Sequence, residues 1–208
     1  MAISGPPPLA PSPSQAMILA AGFRALIEQP GTPVTTTDLA AATGLDQELV
    51  ANDLAELARS GRVQRTPAGD LTGCLGLTLD PTSHAICANG AVRHTWCALD
   101  AFGIMGALRA SGWIESENKL TGRRFHITVD EGLPSDADPS WVVFLLDRQG
   151  VSSVIAEWCP LVNIFDSASA AGSWADGQGV AGQCLSIADT ASLGTALWEP
   201  RITIGAAS

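Results

Sequence analysis

Residues 35–65 read TTTDLAAATGLDQELVANDLAELARSGRVQR. Thr35, Thr36 and Thr37 offer N-capping hydroxyls to a helix expected over Asp38–Thr43, whose apolar side is Leu39, Ala40 and Ala41. Gly44 supplies a turn. A second helix is expected over about Asp46–Ser60, because Leu49, Val50, Leu54 and Leu57 recur at helical spacing. Gly61 closes it, and Arg62–Arg65 begins an extended stretch. Helix, glycine turn, helix and strand together predict a winged-helix-like module. Upstream, residues 1–14 hold five prolines and no charge, which predicts a flexible Pro-rich leader. A first helix over about Gln15–Glu28 then stops at Pro30-Gly31.

Downstream the period changes. Leu71–Ile86 reads as a β-hairpin turning at Asp80–Ser83, and Asn89-Gly90 is a second turn signal. Trp96–Ala110 is strongly helical and ends at Ser111-Gly112. Short strands are expected at Phe125–Val129, Trp141–Leu146, Leu161–Phe165 and Gln183–Ile187, with helices near Ala168–Ala175 and Asp189–Leu197. Pro160 argues against helix immediately after Cys159. The fold class is α+β: a leader (1–14), a winged-helix-like module (15–70), and a mixed β-sheet core with packed helices (71–208).

Composition narrows the function classes. Of 208 residues, 46% are hydrophobic and 15% charged, so the chain is a packed globular protein. The strongest apolar run, Trp141–Leu146, is far short of a membrane span. Eleven basic against twenty-one acidic residues give a formal charge of −10, which repels phosphate backbones and excludes nucleic acid as a default partner. Between Thr35 and Leu57 there is no Lys or Arg, whereas Asp38, Asp46, Glu48, Asp53 and Glu56 are present. A reading helix needs the opposite chemistry. Five cysteines, an odd number, without a basic secretory n-region predict a reduced cytoplasmic setting.

Those cysteines carry the candidate chemistry. His84-x-x-Cys87 and His94-x-x-Cys97 have the spacing of ligand pairs, but no C-x-x-C accompanies them, so structural zinc is not expected. Cys97 and Asp100 stand one turn apart at the start of the Trp96–Ala110 helix. A first-turn cysteine meets unpaired N–H groups and the positive end of the helix dipole, which favours thiolate. Asp100, on an otherwise apolar helix, is either a capping acid or a carboxyl carrying a usable proton. Cys159, held by Pro160, is expected in a loop facing a pocket. Two thiols and a carboxyl in one pocket would suit a soft metal ion.

Trp96-Cys97-Ala98-Leu99-Asp100 resembles the W-C-A-L-D stretch of the organomercurial (alkylmercury) lyases, and Cys159 is similar to that family's second catalytic cysteine. The resemblance runs from about residue 32 onward and includes Leu75–Leu79 and Ser173-Trp174-Ala175. It departs in having no cysteine between Cys97 and Cys159, and in Pro160, where some members carry another cysteine. The resemblance implies cleavage of carbon–mercury bonds by protonolysis, with Cys97, Asp100 and Cys159 catalytic and also holding mercury as substrate and product. It implies no organic cofactor, a small thiol to release Hg(II), and mercuric reductase as a mercury acceptor. Two alternatives are a thiol-based, metal-responsive winged-helix regulator and a lyase-like protein with another substrate.

Overall fold

The computed structural model describes residues 11–118, 120–147 and 151–203. Residues 1–10 of the expected leader lie outside them. Helix α1 spans Pro13–Glu28, starting two residues before Gln15 because Ser12 and Gln15 close a reciprocal capping box with Pro13 in the first turn. Helices α2 (Thr36–Thr43) and α3 (Gln47–Arg59) follow. Thr35 and Asp46 are their N-caps, and Gly44 is left-handed at φ +69° between them.

Next come β1 (Val63–Arg65), β2 (Leu71–Cys74), β3 (Leu77–Thr78), β4 (His84–Ala88) and β5 (Ala91–Thr95). After helix α4 (Ala98–Ala107) lie β6 (Gly112–Asn118), β7 (Arg123–Asp130), β8 (Leu133–Pro134) and β9 (Val142–Leu146). A π-helical turn over Val154–Trp158 runs into a 3₁₀ turn over Cys159–Leu161. The chain continues through β10 (Asn163–Phe165), α5 (Ala168–Gln178), β11 (Gly182–Ser186) and α6 (Ile187–Ile202).

The strands form an eight-stranded sheet, ordered β1-β2-β3-β5-β4-β6-β7-β8, and a three-stranded sheet, β10-β9-β11. The expected mixed sheet is corrected: every ladder among the described residues is antiparallel. Neighbouring strands are joined largely by hairpins, which require that direction. The expected Leu71–Ile86 hairpin is also corrected. The reversal falls at Leu75-Gly76, so β2 pairs with β3, and β4 pairs with β5 and β6 instead.

Three two-residue turns share one backbone geometry: Leu75-Gly76 (φ +48°, +86°), Asn89-Gly90 (+51°, +85°) and Glu131-Gly132 (+47°, +84°). Two successive positive φ values are the type I′ signature, whose twist matches the flanking strands. Only Asn-Gly announces itself in sequence. Strand β6 was not expected at all, and α6 is longer than Asp189–Leu197, since Ser186 caps it and Pro200 sits within its final turn.

Helix α4 is apolar nearly all round and buried along Ala98–Gly106, as a central helix must be. It is packed by β4, β5 and β6 of the large sheet, by β10, and most extensively by α6. Gly103 and Gly194 allow that close approach: a Cβ on Gly194 would lie 2.8 Å from the Gly103 Cα. The N-terminus of α4 is therefore fixed deep inside the molecule.

Candidate active site

Cys97 is the N-cap of α4, with extended φ −153° and ψ 174°, and its side chain makes no capping hydrogen bond. The backbone around it is tied down. The Thr95 hydroxyl donates to the Cys97 carbonyl at 3.2 Å, which also accepts the Ala101 N–H at 3.2 Å. The Ala98 N–H donates to the Val162 carbonyl at 3.3 Å, so a neighbouring segment satisfies one of the helix's unpaired terminal donors. That same bond brings Cys159 to the helix, because the Val162 N–H closes the 3₁₀ turn onto the Cys159 carbonyl at 3.1 Å. Asn118 of β6 anchors the segment further along, donating to the Ile164 carbonyl at 2.8 Å.

The Cys97 and Cys159 sulfurs and an Asp100 carboxylate oxygen all lie within 4.8 Å of one another. The Cys159 thiol points at Asp100 Oδ2 across 3.9 Å. All three residues are shut away from water, at 0%, 1% and 3% exposure for Cys97, Cys159 and Asp100. No second group of this kind occurs among the described residues. His84 and His94 stand apart from it: His84 Nδ1 lies 2.8 Å from the Ser116 hydroxyl, and His94 Nδ1 accepts the Thr82 N–H at 3.4 Å. Cys74 is buried beneath α1, its sulfur 3.7 Å from the Leu19 carbonyl, and Cys87 and Cys184 lie half-buried on β4 and β11.

Two expectations about the thiols are corrected. Cys159 is not in an open loop. Pro160 occupies the first turn of a 3₁₀ helix, where its missing N–H costs nothing, and the strand begins only at Asn163. Nor does the helix terminus favour thiolate at Cys97. Burial pushes this thiol well above its ordinary value, and a hydrogen bond to Cys159 and the negative charge of Asp100 push it further.

Burial likewise pushes the Cys74 thiol far up. The linkage has a definite sign. Above the unfolded thiol value of about 8.5, the unfolded chain loses protons that the folded chain retains, so stability falls as pH rises. Each such thiol contributes a slope of about 1.4 kcal/mol per pH unit there. Urea unfolding under reducing conditions is expected to give a midpoint that is level in this respect below about pH 8 and declines beyond it. Cys74→Ala is expected to flatten the decline.

Gly76 is a residue that sequence reasoning missed. At φ +86° it stands against the carboxyl, and a Cβ there would lie 2.6 Å from both Cγ and Oδ1 of Asp100. Its carbonyl accepts the Trp96 N–H at 2.9 Å, while the Trp96 indole donates to Gln64 Oε1 at 2.8 Å. Gly90 provides a matched control, with φ +85° and nothing within 4 Å. Gly90→Ala is expected to cost only the left-handed backbone penalty, about 1–2 kcal/mol. Gly76→Ala is expected to cost that and to displace Asp100, cutting turnover roughly tenfold or more while Gly90→Ala leaves it unchanged. Thermal unfolding and steady-state assays on the two variants check this.

A family model described as alkylmercury lyase matches residues 77–199, more than half of the chain and including all three clustered residues. The chain belongs to the alkylmercury lyase family. Among curated relatives, it is 33% identical over 155 residues to the alkylmercury lyase of Staphylococcus epidermidis, covering 73% of this chain and 70% of that protein. Among solved structures, this family member is similar to the mercury-bound form of MerB2, with a TM-score of 0.83, 24% identity and 92% of each chain covered. That likeness shows the α+β fold with its antiparallel sheets.

Proposed function

We propose that this alkylmercury lyase cleaves the carbon–mercury bond of organomercurials by protonolysis, with Cys97, Cys159 and Asp100 as its catalytic residues. The observation that carries the reading is the group itself: two thiols and a carboxylate, buried and within 4.8 Å of one another. Thiolate is the best protein ligand for soft mercury, and the carboxylate lies where it can move a proton between sulfur and carbon.

The steps balance without an outside oxidant or reductant. One thiol displaces a small thiol from R–Hg–SR′, forming a sulfur–mercury bond and returning R′S–H. The second thiol gives its proton to Asp100 and adds to mercury, pushing electron density toward carbon. Asp100 then hands the proton to that carbon. The carbon–mercury bond breaks, its electron pair becomes the new C–H bond, and Hg(II) stays on the two sulfurs until small thiols remove it. The push on the Cys97 thiol above its ordinary value suits this sequence, in which protons start on sulfur.

We read residues 15–70, with α1, α2, α3 and β1, as a winged-helix-like module retained for packing and not for reading DNA. Its acidic helices support this, and Gln64 of β1 ties it to Trp96, next to Cys97. Mercuric reductase, with paired thiols, is the acceptor this chemistry calls for. A reducing cytoplasm is the setting that five free cysteines suit, and no described helix is long and apolar enough to cross a membrane. The test is direct. The protein is incubated with phenylmercury and excess small thiol, and headspace benzene is measured by gas chromatography. Benzene at one equivalent per phenylmercury consumed is expected; mercury capture without benzene overturns the reading.

A further inference from the structure

The tip of the β2–β3 hairpin touches the carboxyl of Asp100 on one side and is gripped on the other by the last helix. Leu75 stands at φ +48°, a left-handed conformation that leucine adopts only when its surroundings enforce it. Its carbonyl accepts the indole N–H of Trp198 at 2.7 Å, a bond between residues 123 apart in sequence. The next residue is Gly76, whose backbone lies against the Asp100 carboxyl.

The indole is itself held in place. A Cβ on Gly103 would lie 2.6 Å from its Cε3, and the Arg201 guanidinium sits over the ring at 5.5 Å from the centroid. Asp100 and Gly103 are three residues apart on α4 and so share a face. One helix face thus presents the carboxyl to the turn and a flat bed to the ring that fixes the turn.

We infer that Trp198 is a positioning residue for Asp100: its N–H locks the Leu75-Gly76 turn in a strained conformation so that Gly76 confines the carboxyl near the two thiols. This rests on the protonolysis reading, in which Asp100 carries the proton. Without the N–H, the Leu75 carbonyl loses its partner and leucine is free to leave the left-handed region. Gly76 then withdraws from the carboxyl. A proton carrier misplaced by about 1 Å loses on the order of ten- to a hundredfold in rate.

Two replacements remove the N–H and keep the ring: Trp198→Phe, and 3-benzothienylalanine at position 198, which preserves the bicycle. In both, kcat for benzene release is expected to fall about ten- to a hundredfold, with KM and mercury capture unchanged. Adding Leu75→Gly to Trp198→Phe is expected to restore most of kcat, because glycine holds positive φ without a clamp. A second readout needs no turnover. The side-chain carboxyl ¹³C chemical shift of Asp100, read at one fixed pH, is expected to move in both replacements and to revert in the double variant.

A parent that releases no benzene overturns the protonolysis reading, while the Asp100 carboxyl chemical shift still decides the clamp. Parental kcat and a parental Asp100 chemical shift in both replacements overturn the clamp. So does a lowered Tm with unchanged kcat, or a loss that Leu75→Gly fails to rescue.

Discussion

Cys97→Ser and Cys159→Ser are each expected to reduce hydrocarbon release by about a thousandfold or more, the scale seen when one member of a unit that acts together is removed. A serine hydroxyl is hard and stays protonated at neutral pH, so it neither captures mercury nor weakens its bond to carbon. Loss of fold is a poor explanation in advance, because an introduced hydroxyl at Cys97 or Cys159 sits within reach of the Asp100 carboxylate, which can accept its hydrogen bond. Cys74→Ser instead puts a hydroxyl, costlier to strip of water than a thiol, into a fully buried site where the present sulfur meets the Leu19 carbonyl at 3.7 Å. That variant is expected to lose stability by about 1–3 kcal/mol and keep its turnover. Gas chromatography and chemical denaturation on the three variants separate the outcomes. Near-parental release from either Cys97→Ser or Cys159→Ser removes the two-thiol mechanism.

Asp100→Asn separates capture from cleavage. Both sulfurs remain, so the variant is expected to take up organomercury at the parental ratio, seen by intact mass. Single-turnover hydrocarbon release is expected to fall about 10²–10⁴-fold, since an amide can neither accept the thiol proton nor deliver it to carbon. The competing reading makes Asp100 a helix-terminus acid. Thr35 and Asp38 show what that looks like here: the same spacing of three, an exposed carboxylate, and reciprocal bonds with the cap. At α4 the cap is a cysteine without a capping bond and the acid is buried beside a second thiol. A variant that cleaves as fast as the parent reduces Asp100 to a structural acid.

The helices were legible in the sequence because their signals are local. Thr35, Asp46 and Ser167 cap as their chemistry dictates, and Gly44 and Gly179 close helices in the left-handed region. The Cys97–Asp100 pair was legible for the same reason, being one turn of one helix. Strand β6 was not. Its inward positions are Ile114, Ser116 and Asn118, and two of those three are polar. They can be buried only because His84 Nδ1 lies 2.8 Å from the Ser116 hydroxyl and Asn118 donates to the Ile164 carbonyl at 2.8 Å, partners supplied by distant segments.

The Leu75-Gly76 turn was missed for a related reason. Its first residue has no intrinsic preference for positive φ, and the bond holding it comes from Trp198. The expectation of a thiolate at Cys97 failed because a helix terminus favours charge only where the low dielectric does not oppose it. Here complete burial beside another acid decides the outcome.

The glycine contact between α4 and α6 also bears on the order in which a new molecule becomes whole. Ribosomes deliver the chain from its N-terminus at about 5–20 residues per second. Cys97, Asp100 and Cys159 therefore emerge before Gly194, the residue on which α4 beds down. Until α6 arrives, the flank of α4 at Gly103 lacks its cover, and both thiols belong to a chain whose central helix is incompletely enclosed.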